Sequence, residues 1–387
     1  MSGARGTGRA GDGPRPRPGR RSPDGPTVLL TGAGGFIGSA VLAALRAAPG
    51  VGEVRALTRS AAPPGTVPVA ADLADPATLR GAADGADVLI HLAALVGGPE
   101  QECAAVNVHG TRALLAGAVR AGAGRIVHLS TSAVYGDGPH RGIGVDEVPP
   151  APVSAASRTR LTGERAALDA GAVVLRAPLV LGAGDRWVVP CLADLLRRVP
   201  ARWDGGGALL SLVAVTDLAR LITALALAPE PAPSAAGTAS GTTSADAPGT
   251  PLTGVHHAGH PQPVPVGRLL AELAEHRVLP PVPAGDWPWD RCAARLRSVP
   301  GVFGERQLDL MARDHWYRSE EIWRLAATDP GPGPLARLAG AAPWYRAHLA
   351  TAAPGTPTAR PPRVFAKEMP KPTEDPGFAV RMRPATA

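Results

Sequence analysis

The chain has 387 residues, 45% of them hydrophobic, which is enough to bury one large core or two smaller ones and excludes a chain disordered throughout. Its three cysteines, Cys103, Cys191 and Cys292, are odd in number and far apart. That excludes a disulfide framework and a Cys-x-x-Cys redox or metal site, and it fits a reducing cytoplasm.

The net charge of +7 invites a nucleic-acid reading, but the charge is unevenly placed. Arg5, Arg9, Arg15, Arg17, Arg20 and Arg21 crowd a Gly/Pro-rich leader, residues 1–26, that is expected to be disordered and offers no aromatic partners for bases. Lysine occurs only at Lys367 and Lys371, so the basic balance follows an arginine-rich composition and no nucleic-acid partner is expected. Arg20-Arg21 precedes an apolar run that reads as a buried strand and a Gly-rich turn, not as a twin-arginine export signal. No uncharged apolar stretch reaches the roughly 18 residues of a spanning helix, so no membrane partner is expected.

From Thr27 the pattern alternates between strand and helix. TVLLTG is a strand, GAGGFIG a turn and SAVLAALRAA a helix; VRALTR (54–59) is the next strand. A strand in TVPVAADL, a helix over 76–83, the strand DVLIHLAAL, a helix over 106–121, the strand in RIVHLSTSAVYG and one more strand over 172–182 follow. Such alternation predicts a doubly wound parallel sheet of Rossmann type, with a smaller and mostly helical C-terminal lobe. The dinucleotide-binding domain is placed at 27–185 and the substrate lobe at 186–350, with 211–228 and 253–260 returning to the sheet. A low-complexity insert, 229–251, and a Pro-rich tail, 351–387, are expected to be disordered.

Gly32, Gly35 and Gly38 stand three apart between the first strand and the first helix. Glycines at this spacing permit a tight turn and let backbone N–H groups and the helix N-terminus approach a pyrophosphate, with Phe36 and Ile37 opening the helix against the cofactor. The bland alternative is a tight turn without a ligand.

With this turn the chain resembles the extended short-chain dehydrogenase/reductase family, the NAD-dependent epimerase/dehydratase and 3β-hydroxysteroid dehydrogenase-like group. The resemblance covers about 27–349 and rests on TGAGGFIG, ADL (71–73), HLAA (91–94), NVHGT (107–111), LSTSAVYG (129–136) and SLVAVTDLA (211–219), in that order. It implies that Asp72 bonds the adenine, that Leu73 and Ala93 line the cofactor cleft, and that Asn107 helps hold the central sheet. The cofactor is then NADP or NAD. Arg59, at the end of the second strand, offers a planar cation to a ribose 2′-phosphate and favours NADP, unless it is a solvated surface arginine.

In that family a Ser or Thr, a Tyr and a Lys meet beside the nicotinamide. Thr131 matches the hydroxyl. Register through Leu161, Gly163 and Glu164 places Arg160 at the lysine position and Ala156 at the tyrosine position. A guanidinium still holds a ribose hydroxyl, so Thr131 and Arg160 are the candidate catalytic residues, but alanine has no proton to give. Ser154, Ser157, Asp146, Glu147 and Tyr135 are the nearby groups weighed as substitutes, Tyr135 being read chiefly as structural.

Ser132 and Ala133 stand where 4,6-dehydratases resembling this family carry Asp-Glu, and Leu179 where sugar-nucleotide members often place Asn. The implied activity is oxidation, reduction or epimerisation at a hydroxyl or ketone of a small, non-nucleotide molecule. The alternative is a non-catalytic dinucleotide-binding protein. A homodimer is left open. His256, His257 and His260 follow the insert directly and alternate in facing, so no metal is expected there. Trp287, Trp289, Trp316, Trp323 and Trp344 are expected in the core of the C-terminal lobe.

Overall fold

The computed structural model describes residues 25–229 and 252–351. The leader, insert and tail expected to be disordered lie outside those residues except at their edges. Seven strands make the main sheet: β1 (Val28–Thr31), β2 (Val54–Thr58), β3 (Val67–Ala70), β4 (Val88–His91), β5 (Arg125–Thr131), β6 (Val173–Ala177) and β7 (Gly254–His257). They run β7-β6-β5-β4-β1-β2-β3 across the sheet, and every pairing is parallel. Chain order therefore reverses between β1 and β4. In open α/β sheets the crevice beyond the strand C-termini at such a reversal is where ligands bind.

Strand period two divides the apolar residues between two faces. Leu30, Ile90, Leu129 and Leu175 face one way, against Val41 and Leu45 of α1 (Phe36–Ala47). Leu29, Leu89 and Val174 face the other, against Leu114 and Ala118 of α2 (Thr111–Ala121) and Ala167 of α3 (Ala155–Asp169). A further core gathers Leu192 and Leu195 of α4 (Val188–Arg198), Trp203, and helices between Val266 and Thr351, with Tyr345 fully buried. Helix α5 (Val215–Leu227) closes the first face with Leu218, Leu221 and Ile222. Among the described residues no helix is long and apolar enough to cross a membrane.

Four expectations need correction. The helix over 76–83 is a single 3₁₀ turn, Pro76–Leu79, because Gly81 and Gly85 follow in left-handed conformations. The helix over 106–121 begins earlier, at Glu100, and passes through a π-helical stretch, Ala105–Gly110, before α2. There Asn107 is drawn onto the backbone of Leu95, and Gly110 packs so close that an added Cβ would stand 2.1 Å from the Leu73 carbonyl oxygen. The strand over 172–182 splits around Pro178, which has no N–H for the ladder. Val173–Ala177 stays in the main sheet, while Leu179–Leu181 pairs with Leu212–Ala214. Of the tryptophans, Trp287, Trp289 and Trp344 pack on the lobe's core as expected, but Trp323 is buried in the sheet's core and Trp203 is the enclosed tryptophan of the lobe.

Candidate cofactor cleft and active site

Between β1 and α1 the chain turns through Gly32–Gly35. Gly32 has φ +73°, and a Cβ on Gly38 would lie 1.9 Å from the Gly32 carbonyl oxygen, so any side chain at Gly38 pushes α1 off β1. At Gly34 a Cβ would meet nothing within 4 Å, so this part of the turn faces open space. Gly35 is the N-cap of α1 and supplies no side-chain cap, and no acidic residue occupies the first turn. The N–H groups of the first turn and the positive end of the helix dipole are thus free for an anion.

A cavity of 390 Å³ opens in front of this turn, lined by Gly32, Gly34, Arg59, Asp72, Leu73 and Ala93 among others. The Asp72 carboxylate accepts from the Ala74 N–H at 2.9 Å and lies 3.8 Å from the half-exposed Arg59 guanidinium. One wall is fixed from beneath. Thr31 Oγ1 accepts the N–H groups of Leu92 and Ala93, each at 3.1 Å, and so donates to His91 Nδ1 at 2.8 Å; His91 Nε2 then donates to Thr111 Oγ1 at 2.9 Å. Burial, with the nearby Arg160 charge, pulls His91 down to about 4, which keeps it neutral in this chain of bonds. Its only sequence signal was its place in HLAA.

A second cavity, of 240 Å³, is lined by Phe36, Ile37, Thr131, Arg160, Leu179, Asp185 and Trp187 among others. The structure thus brings Phe36, Ile37, Thr131 and Arg160 together, and Gly32, Arg59, Asp72, Leu73 and Ala93 into the neighbouring cavity, with Gly35 and Gly38 in the turn between strand and helix. Thr131 Oγ1 accepts from the Ala133 N–H at 3.2 Å, which leaves its own hydrogen uncommitted. Arg160 donates to the Leu129 carbonyl at 3.0 Å, and burial lowers it to about 10, so it is charged at neutral pH. Ala156 lies one turn earlier on α3.

The other groups weighed as acids are engaged in the fold or turned to solvent. Ser154 and Ser157 bond each other in a capping box at the start of α3. Asp146 is exposed, and the exposed Glu147 pairs with Arg318. Tyr135 is buried: its oxygen accepts from Arg176 Nη1 at 2.7 Å, and its O–H donates to His257 Nε2 at 2.7 Å, since His257 Nδ1 donates to the Arg318 carbonyl. Burial pulls His257 down to about 4, which keeps that nitrogen an acceptor. Beneath Tyr135, Arg176 forms a buried ion pair with Glu164 at 2.5 Å, and Glu164 accepts from Ser130 at 2.6 Å. His256 bonds the Thr253 carbonyl and His260 the Gly331 carbonyl, so the three histidines turn to three different partners.

One feature had no sequence signal. Asp185 accepts the N–H groups of Trp187, Val188 and Val189 and the Tyr345 hydroxyl, which itself accepts the Gly182 N–H at 2.8 Å. That set ties the lobe to the rim of the second cavity. Asn107 bonds both N–H and C=O of Leu95 at 2.8 Å and reaches Thr159 of α3, so it holds a cleft loop to the helix that carries Arg160.

The sheet, the glycine turn and the cleft at the strand reversal define a Rossmann-type protein. A family model described as "NAD dependent epimerase/dehydratase family" matches residues 28–236, more than half of the chain, and the chain belongs to that family. It is 35% identical over 196 residues to a 4-hydroxy-2-methyl-3-oxo-4-farnesyl-3,4-dihydroquinoline-1-oxide ketoreductase of Stigmatella aurantiaca, covering 46% of this chain and 58% of that protein. A 2-alkyl-3-oxoalkanoate reductase of Stenotrophomonas maltophilia (strain K279a) is 35% identical over 195 residues, with the same coverage. The chain thus spans less than two thirds of these curated relatives. Among solved structures, MoeE5 in complex with UDP-glucose and NAD has a TM-score of 0.59 at 23% identity, covering 84% of this chain and 99% of that one. A short-chain dehydrogenase/reductase superfamily protein from Agrobacterium tumefaciens with bound NAD has a TM-score of 0.61 at 22% identity, covering 84% and 98%. These likenesses show the fold.

Proposed function

We propose that the protein binds a nicotinamide dinucleotide across the two cavities and reduces a ketone, or oxidises the corresponding alcohol, of a small apolar molecule. When bound, the nicotinamide supplies or takes the hydride. The observation that carries this reading is the uncapped turn Gly32–Gly35 flanked by both cavities, one presenting Arg59 and Asp72 and the other Thr131 and Arg160. The residues fit the cofactor: the turn offers N–H groups to a pyrophosphate, the first cavity a carboxylate and a cation for the adenosine end, and the second a hydroxyl and a cation beside the nicotinamide. Arg59 on the open rim favours NADP over NAD.

The substrate class follows from the rest of the second cavity. Leu179, Val180, Trp187 and Val188 are apolar, and Asp185 is turned onto backbone N–H groups. A diphosphate finds Arg160 there and little else. Two relatives named for ketone reduction agree with this class.

One observation favours a second reading. Ala156 leaves the expected tyrosine position without a hydroxyl, as in a protein that binds the dinucleotide without turning it over. Fluorescence titration of NADPH and NADH into the full chain tests the shared part of both readings. Binding to the wild type and its loss in Gly35→Asp is the result expected; equal binding by both would remove the assigned site.

A further inference from the structure

The reductase reading leaves open what meets the negative charge on the substrate oxygen, because the hydroxyls and carboxyls around Ala156 are engaged in the fold or turned to solvent. Two groups in the second cavity are not. Thr131 keeps an uncommitted O–H, and Arg160 spends one N–H on the Leu129 carbonyl. Among the described residues Arg160 has no other hydrogen-bond partner, and it lines the second cavity. A guanidinium has five N–H groups in a fixed fork, and four of these are left for ligands.

We propose that Arg160 and Thr131 together form an oxyanion site, in which the guanidinium N–H groups and the threonine O–H bind the oxygen of the substrate carbonyl. This deepens the reductase reading and rests on it. As the carbonyl carbon accepts hydride from the reduced nicotinamide, which is thereby oxidised, the carbonyl π pair moves onto oxygen. Arg160 and Thr131 take up that charge, and water in the cleft supplies the proton that completes the alcohol. Charge stabilisation by preorganised donors in a partly dry site replaces proton transfer from a tyrosine as the main aid. Arg160 suits this role because it stays cationic without a paired carboxylate: Glu164, four residues on, is committed to Arg176 and Ser130.

The site is tested by binding, independently of turnover. Fluorinated phenols are nearly constant in shape and differ in acidity, so their affinity reports how strongly a pocket stabilises charge on oxygen. Calorimetric titration of the full chain, alone and with NADP⁺, is expected to show affinity rising about tenfold from phenol to the most acidic member, as charge-assisted bonds require. In Arg160→Ala the rise should shrink to less than about twofold, and Arg160→Lys should keep part of it. A flat series in the wild type, or an undiminished slope in Arg160→Ala with normal NADPH binding, would overturn the oxyanion site. Failure of the wild type to bind NADPH is a separate result that contradicts the cofactor reading, while the series without cofactor still decides the oxyanion site.

Discussion

At the scale of single residues, the site depends on which side chains are left free. Arg59 is tethered to Asp72 only at 3.8 Å and is half-exposed, so its guanidinium can swing to a 2′-phosphate at little cost. Arg59→Asp should weaken NADPH relative to NADH, by about tenfold or more in the ratio of dissociation constants, because a cation facing the 2′-phosphate is replaced by a like charge. An unchanged ratio would make Arg59 a surface residue. Thr131, Arg160 and the glycines were legible because each sits in a short motif whose spacing fixes its place on a strand end or a helix turn. Asp185 and Tyr345 were not, since they meet across 160 positions through a hydroxyl and a carboxylate that no local pattern singles out. The fate of Ser154 and Ser157 was half legible: Ser-x-x-Ser at a helix start already describes a cap that occupies both hydroxyls.

At the scale of elements, α3 carries Arg160 into the second cavity, and a buried ion pair holds it. Glu164 on α3 meets Arg176 on β6, both almost fully enclosed. Glu164→Ala should destabilise the protein by about 3–5 kcal/mol in urea unfolding, because Arg176 is left as an unpaired buried charge. Glu164→Gln together with Arg176→Met should recover much of that loss. A cost under about 1 kcal/mol for Glu164→Ala would mean that water or Tyr135 satisfies Arg176 instead. The strands of the sheet were the most legible elements, since short apolar runs between turns read directly as buried parallel strands. The misreadings fell where one residue overrides a pattern: Pro178 breaks a continuous apolar run into strands of two sheets, and Gly81 stops a helix whose composition otherwise permits it.

At the scale of the whole molecule, both cavities are lined by residues between 32 and 188, Tyr345 of the last helix fixes the rim at Asp185, and buried histidines tie stability to pH. His91 and His257 are both held near 4 by burial, below the ordinary value of 6.5, so the unfolded chain binds more protons than the folded one between these limits. Stability should therefore be full above about pH 7 and fall as pH drops through 6.5 toward 4, by about 3–4 kcal/mol between pH 7 and 5 for the two together. Urea unfolding at pH 7, 6 and 5 checks the sign, and a flat or rising stability on acidification would contradict it. The whole-molecule fold was legible because strand-helix alternation leaves few topologies; the pairing of the two cavities around one turn was not, since it depends on where the C-terminal lobe docks. The central claim is that this cleft still carries out hydride transfer. The most direct measurement is mass spectrometry of the product after incubation of the full chain with stereospecifically deuterated NADPH, each C4 epimer in turn, and the apolar ketone 2,2,2-trifluoroacetophenone, whose alcohol keeps the transferred deuterium on carbon. Transfer of deuterium to the alcohol carbon from one C4 face only, lost in Gly35→Asp, is the result the account predicts; a protein that binds NADPH and yields no labelled alcohol from either epimer would contradict it.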